Sequence, residues 1–217
     1  MPRKISVVST GLMGFGFLAF ADPAKQDLIR NAAIRVFARK GFHATRAEEI
    51  AEEAGIAVGT IYNYFESKAQ VLLSIFEREF EEEVGLYESM AKSGVSVRER
   101  FSKILSAHFA RLAESRDLAV VLVRERYNGS GEIGEAMAKM QRKMLDRIEK
   151  LIQDGVDAGW LRTCNVRMVA PALFAIVQSI GEAAMIYPES QQKAFLARAP
   201  EELAGLIWNG LGREEAA

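Results

Sequence analysis

A chain of 217 residues has room for one large domain or two small ones, with a packed core that needs no disulfide staples. With 49% hydrophobic and 26% charged residues it is neither wholly disordered nor fibrous, and 28 basic against 29 acidic residues leave a formal charge of -1. Affinity for nucleic acid would therefore have to come from a local motif rather than from overall charge. The single cysteine, Cys164, and two distant histidines exclude an internal disulfide and fit no familiar zinc-ligand spacing, so no metal and no cofactor is expected.

At the N-terminus, Arg3 and Lys4 precede a mostly apolar run over residues 5–20, and Ala19-Phe20-Ala21 has the small-x-small form of a secretory cleavage site. This match supports one alternative, a secreted helical binding protein. The run is too short and too interrupted by Ser and Gly for a membrane span, and the glycines of GLMGFG fall in the wrong order for a dinucleotide fingerprint. Residues 1–21 are instead read as an extension, with Met13 as a plausible initiator, ahead of a domain that begins at Asp22.

From Pro23 onward apolar residues recur at helical spacing and no alternating run is long enough for a strand, so the expected fold is all-α. Asp22-Pro23 caps a first helix that carries Ile29, Ala33, Val36 and Phe37 on one face and stops at Gly41. Thr45, Arg46, Ala47 and Glu48 read as a T-x-x-E capping box that opens a short helix ending at Gly55. A second short helix is expected over residues 57–65. Ser67 to Gln70 form another capping box, at the head of a long amphipathic helix. Longer helices follow over residues 96–113, 116–127, 132–157, 166–186 and 191–211. This gives three segments: the extension 1–21, a helix-turn-helix unit 22–68, and a larger helical unit 69–217 for effector binding and dimerisation.

Function is concentrated in EEIAEEAGIAVGTIYNYF, residues 48–65. Ile50, Ala54 and Ile61 can pack between two short helices and Gly55 permits a left-handed turn, while Val58, Thr60, Tyr62 and Asn63 remain free for contact. Residues 25–76 as a whole, including IRNAAIRVFARKGFHAT and SKAQVLL, resemble the N-terminal domain of the TetR family of transcriptional regulators. The resemblance implies a recognition helix over residues 57–64 that includes Ala57 and Gly59, with Val58, Thr60 and Asn63 at base edges and Tyr62, Tyr64 and Lys68 on phosphates. Thr45 and Arg46 would add an anion-favouring helix start. Ala57 departs from the capping serine or threonine of many relatives, and Tyr64 from their histidine. Residues 22–70 hold seven basic and seven acidic side chains, so affinity depends on where the cations lie; Lys25, Arg46 and Lys68 are the candidates.

In the larger unit most apolar positions are core, yet helical bundles often hold ligands between helices. The candidate effector residues are His108, Phe109, Leu122, Arg124, Tyr127, Met140, Phe174, Gln178 and Met185, with Arg124 as the cation for a charged head. By the resemblance the protein is a homodimeric, cytoplasmic, ligand-responsive repressor that binds double-stranded operator DNA. Similarity of residues 59–76 to TetR-like repressors of fatty-acid degradation implies a long-chain acyl-coenzyme A effector, with a lipophilic drug as the other hydrophobic choice. Small residues such as Ala170, Ala172, Ala175 and Gly181, and the apolar Leu203, Ile207, Trp208 and Leu211, place the dimer interface on the last two helices. An enzyme is a remote reading, since no nucleophile or acid–base constellation stands out.

Overall fold

The structure, a computed structural model, describes residues 22–127 and 131–211. Among them it is helical, with no β element beyond an isolated bridge at Leu161: α1 Pro23–Lys40, α2 Ala47–Ala54, α3 Val58–Tyr62, α4 Lys68–Lys92, α5 Val97–Glu114, α6 Arg116–Glu125, α7 Gly131–Asp157, α8 Val166–Ile186 and α9 Glu189–Leu211. The signal-peptide-like run lies outside the described residues.

Local chemistry explains most of the boundaries. The Asp22 carboxylate accepts from the Ala24 N–H at 3.0 Å ahead of Pro23, and α1 ends where Gly41 takes φ 85°. The first capping box sits one residue later than expected. Arg46 is the N-cap and its own N–H donates to Glu49 at 2.9 Å, whereas the Thr45 hydroxyl turns back to donate to the Gly41 carbonyl at 2.7 Å. Arginine has no acceptor atom, so only the glutamate half of the box forms. At α4, Ser67 Oγ accepts from the Gln70 N–H at 3.1 Å, but the Gln70 amide is drawn away to Glu132.

The recognition helix is shorter than expected, because Ala57 offers no side-chain cap and Phe65 is pulled into the core. The Asn63 N–H then bonds back only to Thr60 and Ile61, and the chain tightens after Tyr62.

Two apolar cores share α4. Ile29, Val36, Phe37, Ile50, Ile61 and Leu72 lead the first, which also takes in Leu118 and Val121 from α6 and Ile133 from α7. The second surrounds Phe101, Leu105, Phe109, Ile148, Leu196 and Leu203, with Phe80, Leu86 and Tyr87 from the far half of α4 packed against it. The long helix thus belongs to both units, and α6 plugs into the base of the first.

Candidate DNA interface and effector cavity

The small head formed by α1 to α3 and the start of α4 presents its third helix outward. Gly55, at φ 65° in the left-handed region, donates its N–H to Ala51 and Glu52 and turns the chain from α2 into α3. Ile61 points inward, 1% exposed, while Tyr62 is 53% exposed. Ala57, Gly59 and Asn63 are exposed, and Val58, Thr60 and Tyr64 are half-buried on the same short element. Thr45 is buried, its hydroxyl engaged by Gly41.

Most cations of the head are already paired. Arg30 meets Asp27, Arg35 and Arg39 share Glu53, and Lys40 meets Glu49. The Lys68 ammonium donates to the carbonyls of Phe42 at 2.6 Å and Thr45 at 2.5 Å and lies over the Phe42 ring. Burial pulls its pKa below the usual lysine value, and Glu125 and Glu49 oppose that fall. Lysine 68 therefore pins the α1–α2 turn. Lys25 and Arg46 have no ion pair within 4 Å among the described residues, which leaves them as the cations available to a polyanion.

Within the second core a narrow cavity runs between α4, α5, α7 and α8. Phe101, Leu105, Ile148, Leu151, Leu173 and Phe174 line its apolar length, and Glu83, Tyr87, His108 and Gln178 make its polar part. His108 Nδ1 is hydrogen-bonded to Glu83, and burial raises the Tyr87 phenol above its ordinary pKa. The free space is only about 40 Å³, well below the roughly 150 Å³ of a protein cavity that takes up benzene. A larger occupant must part the walls. Separately, an open groove of about 920 Å³ lies outside, between α5 and α9, over Ser102, Ser106, Ala110, Lys193, Ala197 and Trp208.

A sequence profile of bacterial regulatory proteins of the tetR family matches residues 29–75, and one for the tetracyclin repressor-like C-terminal domain matches residues 94–182. The chain belongs to the TetR family. It is 26% identical over 184 residues to the fatty acid metabolism regulator protein of Bacillus subtilis, covering 84% of this chain and 93% of that one. The solved FadR of Bacillus subtilis in complex with stearoyl-CoA superposes with a TM-score of 0.77 at 25% identity, over 85% of this chain and 98% of that chain. The fatty acid degradation regulator FadR of Bacillus halodurans gives 0.79 at 26% identity, over 87% and 97%.

As a TetR-family member the protein is a ligand-responsive transcriptional regulator that acts on operator DNA as a dimer, and the secreted reading has no support. The relatives are regulators, not enzymes. Of the residues expected to bind effector in this TetR fold, His108, Phe174 and Gln178 come together in the cavity. Phe109 instead borders the outer groove, Met140 packs against the core of the head, Leu122 sits between the two cores, and the Met185 sulfur lies 3.5 Å from the Gln192 amide.

Arg124 is committed elsewhere. Its guanidinium donates to the Phe37 and Ala38 carbonyls at the end of α1 and, at 2.8 Å, to Glu125. Tyr127 is 73% exposed and donates its hydroxyl to Glu182 at 2.9 Å. The cavity residues missed from sequence include Met144, Ile148 and Leu151, whose i, i+4, i+7 spacing on α7 is the same for a cavity wall as for a solid core. Glu83 and Tyr87, four apart on α4, carried a readable signal: polar groups on a helix face that is otherwise apolar.

The expected α9 contribution to dimerisation also changes. Leu203, Ile207 and Leu211 are buried within their own protomer, as are Ala170 and Gly181 of α8. The outward apolar surface consists of Met168 at 70% exposure, Ala172, Ala175, Ile186 at 85% and, on α9, Leu206 at 59%. Helix α8 is long and apolar enough to cross a membrane, but its most apolar stretch is only 22% buried in the protomer.

Proposed function

We propose that this chain is a cytoplasmic repressor whose α8 faces pair in the dimer and whose effector is a long-chain acyl-coenzyme A held by its chain in the cavity between α4, α5, α7 and α8. The carrying observation is the cavity itself, an apolar slot with polar groups at Glu83, Tyr87, His108 and Gln178, in a chain similar to a regulator solved with stearoyl-CoA. A thioester carbonyl suits these groups better than a free carboxylate, which Glu83 would repel. Because the slot is nearly closed, filling it moves the helices, and one of them, α4, starts in the DNA-reading head. Binding and movement are thereby linked.

In this reading the functional division is a head of residues 22–68 and an effector and dimerisation body of residues 69–217. Val58, Thr60 and Asn63 read base edges, and Tyr62, Tyr64, Arg46 and Lys25 meet phosphates. Lys68 and Thr45 contribute by holding the α1–α2 turn, since both are engaged within the head.

The test is titration of the protein–operator complex with acyl-coenzyme A of increasing chain length. Each methylene buried adds about 0.8 kcal/mol until the slot is full, so half-release should occur at progressively lower concentration from hexanoyl to palmitoyl. Long chains that release no more DNA than coenzyme A alone would sink the acyl reading and make a lipophilic drug the next candidate.

A further inference from the structure

The four residues 124–127 at the end of α6 face two ways. Arg124 donates to the Phe37 and Ala38 carbonyls, and the buried Glu125 carboxylate accepts the Phe42 N–H at 3.1 Å, so both grip the turn between α1 and α2. Gly41 lies against the same pair, its Cβ position 3.8 Å from Glu125 Oε1 and 4.0 Å from Arg124 Cζ. On the other side, Arg126 donates to the Gln178 carbonyl oxygen and, at 3.1 Å, to Glu182, while Tyr127 donates to the same Glu182. Arg126 Nε is buried with no hydrogen-bond partner among the described residues. Gln178 is itself part of the cavity wall, beside His108 and Glu83. An unbroken path therefore joins the polar part of the cavity to the turn that precedes the helix-turn-helix: Gln178, Arg126, the adjoining Glu125, and Phe42. The Phe42 carbonyl is the one that Lys68 holds.

We propose that Gln178 is the residue through which an occupant of the cavity is sensed. A carbonyl oxygen arriving at the polar part of the cavity accepts from the Gln178 amide N–H. The carboxamide turns toward it, its oxygen leaves Arg126, and the end of α6 loses the tie that fixes Glu125 against Phe42. The ligand class this selects is an apolar chain bearing an uncharged carbonyl such as a thioester. The inference rests on the cavity being the effector site, and it adds a specific route by which occupancy reaches the head. Gln178 touches the ligand and Arg126 is a positioning residue on that route, so changing either should weaken the effector response more than it weakens operator binding.

The experiment uses the full chain in two arms. Without effector, amide hydrogen exchange over residues 41–46 is compared between wild type, Gln178→Ala and Arg126→Lys, with α8 as the internal control. Loss of the acceptor, or of a guanidinium able to bridge Gln178 and Glu182, should speed exchange at Phe42 at least tenfold and leave α8 protected. With palmitoyl-CoA, operator affinity and direct palmitoyl-CoA binding are measured for wild type and Gln178→Glu. This variant gives Arg126 a stronger acceptor and offers the ligand no amide donor. It should bind operator within threefold of wild type and, at a palmitoyl-CoA concentration that direct binding shows to saturate each protein, lose at least tenfold in the effector-induced weakening of operator binding.

Unchanged Phe42 exchange in both variants of the first arm overturns the route whatever the effector is. A wild-type response that Gln178→Glu reproduces in full overturns it too, and leaves the acyl-CoA reading standing. Failure of wild type to bind palmitoyl-CoA overturns that reading, while the first arm still decides the route.

Discussion

The head and the body of this molecule solve opposite packing problems with the same helical material. In the head, Ile29, Ala32, Ala33, Phe37, Ile50, Val71 and Leu72 are 0% exposed, while the third helix turns Tyr62 outward. In the body, Phe101, Ile104, Leu105, Ile148 and Leu151 retain 4–6% exposure around a slot, and α8 leaves Met168 and Ile186 in the open. A device that reads DNA must hold its contact helix in one place, whereas a device that senses a ligand must be able to part. The difference teaches where stability and response can reside: the head packs tightly behind its contact helix, and the body keeps a slot that an occupant would have to part.

The sharpest way to break this comparison is to separate the two heads. Ala172→Glu with Ala175→Glu puts two carboxylates on the exposed face of α8 without touching either core. Light scattering should then report a monomer, and operator affinity should fall by about 10²–10⁴, the contribution of the linked second half-site. A dimer that persists would move the interface off α8.

Next in size is a pair of core truncations. Phe37→Ala removes a fully buried ring that packs edge-on against Phe42 at 5.7 Å, and should cost about 3–5 kcal/mol in urea unfolding. Ile148→Ala, on the cavity wall, should cost about 2 kcal/mol, since part of its surroundings is already empty. It should also shift the effector preference toward longer or bulkier chains. Equal costs at the two sites would erase the packing contrast.

The same contrast decides how much could be read in the chain beforehand. The head was legible almost residue by residue, because each feature has a local cause: Pro23 after Asp22, the positive φ of Gly41 and Gly55, Ser67 as a cap. The exceptions were also local. Arg46 displaced Thr45 as the cap, and the recognition helix lost its ends for want of a capping side chain at Ala57. The body was legible as helices but hardly as a site. Periodicity tells which face of α5 or α7 is apolar, and cannot tell whether the opposite wall is in contact or a few ångströms away. Arg124 looked like a ligand's counter-ion because its partners, the carbonyls of Phe37 and Ala38, are 87 and 86 residues distant and carry no sequence signature.

A smaller effect tests what the third helix does. Asn63 is exposed at the end of α3, where a carboxamide can offer a donor and an acceptor to a base edge. Asn63→Ala should lose about 1–3 kcal/mol of discrimination between the operator and a single-base variant while leaving non-specific binding and its salt dependence unchanged. Arg46→Ala should do the reverse, weakening all sequences alike and flattening the salt slope by about one phosphate. Exchange of these two signatures would invert the assignment of base and phosphate contacts.

The smallest expected effect concerns acid. Hydrogen bonds from Arg35 and then Arg39 hold the Glu53 carboxyl below its ordinary 4.5, and a hydrogen bond from Lys40, followed by the Arg46 N–H, does the same for Glu49. Both glutamates tie α2 to its neighbours in the head. A carboxylate whose pKa is depressed by folding stabilises the folded state fully above its unfolded value and loses that contribution as pH falls through the folded value. The head should therefore weaken below about pH 4.5 by this route. Exposure of these pairs to solvent keeps the effect modest. Urea midpoints of wild type and Glu53→Gln, measured at pH 6 and at pH 3, decide it. The variant should be less stable at pH 6, and the gap should narrow at pH 3, as the wild-type carboxylate begins to take up its proton. A gap that is the same at both pH values would mean that Glu53 acts through packing and not through its charge.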